Sequence, residues 1–98
     1  METVNLEILI HILKHWLKDP ASRQSLTAKF ESLVGDNEIL GATENQEKCF
    51  RDLCHDLAFY SQDPRALRED STLWDDNKME NEINNMLSKI LAEQTNET

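Results

Sequence analysis

Apolar residues are densest near the start of the chain. Across residues 4–18, Leu6, Ile8, Leu9, Ile10, Ile12, Leu13, Trp16 and Leu17 recur at helical spacing, with Glu7, Lys14 and Lys18 opposite. So wide a face predicts a central helix touched on more than one side. Asp19-Pro20 stops it and starts the next, with Asp19 as N-cap and Pro20 at the first helical position. A second helix is predicted over about 21–34, its narrower face made of Leu26, Phe30, Leu33 and Val34. Gly35 then stands where a left-handed C-terminal cap belongs. Residues 36–42 read as a loop in which Ile39 and Leu40 tuck under the bundle.

Thr43-Glu44-Asn45-Gln46 fits the capping box and opens a third helix. Its register runs through Cys49, Phe50, Leu53, Cys54, Leu57 and Tyr60 to about residue 61. Asp63-Pro64 repeats the stop-and-restart signal, making 65–69 one short turn. A polar stretch, 70–77, encloses Leu73 and Trp74. The last helix is predicted from about Lys78, with Met79, Ile83, Met86, Leu87, Ile90 and Leu91 in register, and 93–98 as a frayed tail. The expected fold is all-α: a compact antiparallel four-helix bundle in one domain, 1–98.

Composition narrows the picture. Ninety-eight residues supply one modest core. Two glycines, two prolines and valine only at Val4 and Val34 disfavour sandwiches, barrels and βαβ folds. No apolar run of membrane-spanning length and no signal-peptide layout are present, and two cysteines are too few for a disulfide framework. The expectation is a soluble, cytoplasmic, acidic helical domain, monomeric or weakly dimeric.

Charge changes the picture most. The net charge of −9 argues against direct binding to nucleic acid. Residues 1–35 balance, four acids against four bases, whereas 36–82 hold thirteen acids and five bases, net −8. The plain reading is a solvated face that keeps a small protein in solution. A sharper one is a patch that steers cationic surfaces toward it. Phe59, Tyr60 and Trp74 lie among Asp56, Asp63, Glu69, Asp70, Asp75 and Asp76, and aromatic anchors in a charged rim compose a tight protein interface. Phe59 is expected in the core; Tyr60 and Trp74 are balanced between core and interface.

Catalytic chemistry is not expected. His11 and His15 have the i, i+4 spacing of a zinc pair, but no Glu follows His11, and a third ligand has to come from His55, Cys54 or a distant acid. Two polar residues at the edge of a broad helix is the simpler reading. Cys49 and Cys54 keep apolar register and read as ordinary buried thiols. Cys54 and His55 diverge by about 100° around a helix and cannot act as nucleophile and base. Two glycines make no phosphate loop, and the polar face of helix one is too poor in bases for a membrane anchor. Neither metal nor cofactor is expected.

One stretch has a family character. Leu53-Cys54-His55-Asp56-Leu57-Ala58-Phe59-Tyr60, then Asp63-Pro64 with an acidic Arg-containing loop, then Trp74-Asp75-Asp76-Asn77 and a closing amphipathic helix resemble the second half of the colicin D type immunity proteins. The likeness covers about 40 residues and rests on order and character. It implies a small acidic bundle that neutralises a cognate nuclease toxin, a tRNase foremost, by laying carboxylates over its basic active site. Carried over by position, the contacts are Asp56, Tyr60, Asp63, Glu69, Asp70, Trp74, Asp75 and Asp76, and Glu80 at the start of the last helix completes the set. The DNase-type immunity proteins are a looser echo through Asp56-Leu57-Ala58-Phe59-Tyr60.

The sequence departs from the family in being longer at both ends and in carrying Arg65 and Arg68, bases that either pair internally or select a different toxin. Reversing Asp75 and Asp76 together is expected to weaken toxin binding with folding nearly intact. The alternative function is a helical adaptor that uses the extra apolar face of helix one.

Overall fold

The computed structural model describes residues 2–96, with side chains described as far as Glu93. Strand β1 (Thr3–Asn5) leads into α1 (Leu6–Lys18), and a 3-10 turn (Pro20–Ser22) leads into α2 (Arg23–Asp36). Strand β2 (Glu38–Leu40), α3 (Glu44–Leu57), the short α4 (Pro64–Glu69) and the long α5 (Asp76–Asn96) follow. The described residues form a compact, mostly helical (74%) globule of five helices with a two-stranded parallel sheet. The four long helices close a ring, α1 on α2, α2 on α3, α3 on α5 and α5 on α1.

The sheet is a correction to the expected all-helical chain. Val4 pairs with Ile39 in parallel register, flanked by Thr3 with Glu38 and Asn5 with Leu40. Parallel strands need a long crossover, which α1 and α2 supply. Period-two alternation decides the faces: Val4 and Ile39 are buried, Leu40 is exposed. Val4 therefore lies outside helix one, and of the two apolar residues in the expected loop only Ile39 tucks in. Asn5 starts α1 by accepting from the Glu7 backbone N–H at 2.8 Å.

Other boundaries shift for local reasons. Pro20 opens a 3-10 turn, and Asp19 provides no side-chain cap to it; its carboxylate instead accepts from the Ser22 hydroxyl at 2.7 Å. Gly35 is helical with open space around it, and Gly41 carries the positive φ, +82°. The Thr43–Gln46 capping box forms as the sequence predicts. Asp75 caps α5 by accepting from the Lys78 N–H at 2.9 Å, so the helix begins two residues earlier than expected. At its far end Glu93 accepts from Thr43 Oγ1 (2.6 Å) and Asn45 Nδ2 (3.1 Å), which fastens α5 to the start of α3. The predicted fray does not begin at 93; residues 97 and 98 lie outside the described residues.

Leu9, Leu13, Trp16, Phe30, Phe50, Leu53, Met79, Ile83 and Ile90 form the sealed centre. Each such side chain contributes about 1.5–3 kcal/mol by burial. The broad α1 face is consumed by the other helices and the sheet, leaving Ile8, half exposed, as its outward apolar residue. That removes the motive for an adaptor built on α1. Among the described residues no helix is long and apolar enough to cross a membrane.

Candidate interaction site

The acidic segment is organised around a closed neck. Helix α3 ends at Leu57, and Tyr60 and Trp74 then form a parallel β-bridge. The Trp74 N–H donates to Phe59 O at 2.9 Å, and the Ser61 N–H donates to Trp74 O at 3.0 Å. Residues 61–73 thus leave the body and return at one point, the geometry of an Ω-loop. Within it Asp63 caps α4 by accepting from the Arg65 N–H at 3.0 Å, and Asp70 accepts from the Thr72 N–H and hydroxyl at 2.9 and 2.6 Å. No residue of α4 is buried.

Beneath the neck lies a residue that sequence reasoning passed over. Arg23 is 2% exposed, and its guanidinium sits 4.1 Å from the Trp16 ring centroid. It donates to Trp16 O (2.9 Å) and Leu17 O (3.3 Å), carbonyls that the end of α1 leaves without helical partners. It also donates to Asp76 Oδ1 (3.0 Å) and Glu80 Oε1 (2.7 Å). Tyr60 adds its hydroxyl to Asp76 Oδ1 at 2.5 Å and sets its ring edge-on to Trp16, centroids 5.2 Å apart. Burial opposes the charge of Arg23, but Glu80 and Asp76 outweigh it and raise its pKa further. The signal was its register: Arg23, Thr27, Phe30 and Val34 share the buried face of α2.

This network gives several of the candidate acids partners within the protein. Asp76 and Glu80 are engaged by the buried Arg23, so reversing Asp76 is expected to cost folding stability. Asp63 caps α4, Asp70 closes a turn onto Thr72, and Asp75 caps α5 with one oxygen. Phe59 is not in the core: it is exposed and stacks on His55, centroids 5.6 Å apart. Tyr60 and Trp74 are half-buried, Trp74 under Lys78 Nζ at 4.4 Å. The structure therefore gathers Asp56, Tyr60, Trp74, Asp75, Asp76 and Glu80 about the neck and leaves Asp63, Glu69 and Asp70 on the excursion.

The carboxylates of Asp56 and Glu69 accept no hydrogen bond among the described residues. Asp56 is the more unusual of the two. It is half-buried in the last turn of α3, where the helix dipole disfavours an anion. Burial raises its pKa, nearby Asp52 adds to the rise, and His55 and Lys78 counter it only in part.

Asp76 behaves oppositely. Burial works against its charge, yet hydrogen bonds from Tyr60 and Arg23 prevail and hold its carboxyl below the ordinary range. Its stabilisation is complete above an unfolded pKa of about 3.9 and is lost as pH falls through the depressed native value. Urea midpoints are expected to drop steeply below about pH 4, and Asp76→Asn removes that portion of the loss.

The remaining chemistry is sparse. His15 faces Asp19 at 3.6 Å, and among the described residues no three His, Cys, Asp or Glu side chains converge as a metal site. Cys49 and Cys54 are half-buried rather than fully buried, and burial raises both thiols. No protein-family model, curated protein or solved structure matches the chain.

Proposed function

We propose that the chain is an immunity-type inhibitor: a cytoplasmic antiparallel four-helix scaffold, working without metal or cofactor, that occupies the basic active-site cleft of a cognate nuclease toxin. A tRNase is the foremost candidate for that toxin. The observation that carries the reading is Asp56. A carboxylate that is desolvated, unpaired and placed at the wrong end of a helix dipole opposes folding, and departures of this kind concentrate at functional sites. A cationic partner would supply the missing charge. Tyr60 and Trp74 follow it on a neck held by backbone hydrogen bonds, and the half-buried Tyr60 ring carries its hydroxyl to Asp76, so partly exposed aromatics share this end of the molecule with acids.

The test is co-expression with the basic nuclease domain encoded beside this chain's gene. A 1:1 complex is expected on size exclusion, with nuclease activity silenced. Its association rate is expected to fall at least tenfold as salt rises from about 50 to 500 mM. A neighbouring gene without a toxin domain, or a nuclease that stays active with the chain in excess, would overturn the reading.

A further inference from the structure

We propose that α4 supplies a cationic half to the same interface, Arg65 and Arg68 engaging carboxylates on the otherwise basic partner. This rests on the inhibitor reading and specifies the surface that it meets. The chain has four arginines. Arg23 is held by Asp76 and Glu80, and Arg51 by Glu47 at 2.9 Å. Among the described residues Arg65 and Arg68 form no ion pair and no side-chain hydrogen bond, although Asp63, Glu69 and Asp70 are close in sequence. The reason is visible for two of these acids: Asp63 is turned to the Arg65 N–H as a cap and Asp70 to the Thr72 N–H in a turn. Of the two alternatives for these bases, internal pairing is absent among the described residues.

Residues three apart share a helix face, and both arginines are exposed. Helix α4 buries none of its residues and has no extended contact with another element; the closed neck and the Gln62 amide, which donates to Pro20 O at 3.1 Å, tie its loop to the body. A guanidinium pair in a fixed frame suits bidentate anions. A continuous phosphate backbone is the wrong anion, because the arginines lie inside a segment of net charge −8. Discrete carboxylates within a cationic protein surface satisfy both signs at once. A nuclease whose acid–base groups or metal ligands are Asp or Glu presents such carboxylates in its cleft.

The experiment measures affinity of the full chain for the adjacent-gene nuclease domain, with Arg65→Glu/Arg68→Glu compared with Arg65→Lys/Arg68→Lys and with Asp56→Lys. Because nothing in α4 is buried, the arginine variants should keep the wild-type melting temperature and circular dichroism. The double glutamate variant is expected to bind roughly 100-fold more weakly, the double lysine variant to recover part of that, and a carboxylate reversal on the nuclease to rescue the glutamate variant. Unchanged affinity in the glutamate variant, with Asp56→Lys disruptive, overturns this inference and leaves the inhibitor reading standing. Binding of a tRNA-sized RNA by the free chain, lost in the glutamate variant, overturns it in favour of phosphate. No complex with the wild-type chain removes the inhibitor reading and this inference together.

Discussion

Replacing Arg23 with alanine is expected to destabilise the protein by about 3–5 kcal/mol, the range for breaking a buried ion pair by removal of one partner. The two carboxylates are partly solvated, 45% and 37% exposed, so they recover hydration and contribute the smaller share. The larger share comes from the backbone. Trp16 O and Leu17 O lose charge-assisted hydrogen bonds at the end of α1, where no intrahelical donor replaces them. The Trp16 ring loses the cation above its face as well. For a domain of this size each kcal/mol moves the melting temperature by roughly 4–8 °C, so a fall of about 15 °C or more is expected. Arg23→Lys keeps the charge but lacks the planar fork, and recovers less than half of the loss. A melting temperature within about 3 °C of wild type in Arg23→Ala would show the network to be ornamental.

The same network explains what the sequence revealed and what it hid. Elements marked by local chemistry were legible: the Thr43–Gln46 box, the Asp63-Pro64 restart and the apolar registers of α1 and α5 each reflect an interaction within a few residues. Three-residue strands were not legible. The Val4–Ile39 pair becomes readable only once α1 and α2 have brought 35 residues of separation back to one register. The partners of two candidate acids were hidden for a related reason. A count of charges assigns every carboxylate to solvent, whereas Asp76 and Glu80 face an arginine 53 and 57 residues away. Polar residues at buried registers, Arg23 in α2 and Gln46 in α3, were the available warning. Gln46 bears this out by donating to Ile90 O at 2.8 Å, a tertiary bond that its capping role alone does not require.

Sorting the acids by occupation gives a sharper test of the interface than reversing them together. Asp56→Asn is expected to do two things that rarely coincide. Its native pKa is raised by burial, so its ionised form opposes folding at neutral pH, and the opposition fades as pH falls below the raised value. Removing the charge is therefore expected to raise stability slightly, by about 0.3–1 kcal/mol, the scale of a misplaced charge at a helix end. Affinity for the nuclease domain is expected to fall at least about 30-fold, chiefly through faster dissociation, as for a charge desolvated near the centre of an interface. Glu69→Gln, at the exposed rim, should instead slow association a few-fold in a salt-dependent way. Asp75→Asn keeps the α5 cap, since asparagine caps as well as aspartate, and so isolates that residue's charge from its structural role. Asp76→Lys, placed against Arg23, should simply unfold the neck. Stopped-flow association and urea titration of the four variants separate these outcomes. A variant of Asp56 that is more stable and binds as tightly as wild type would mean that its awkward carboxylate serves no partner.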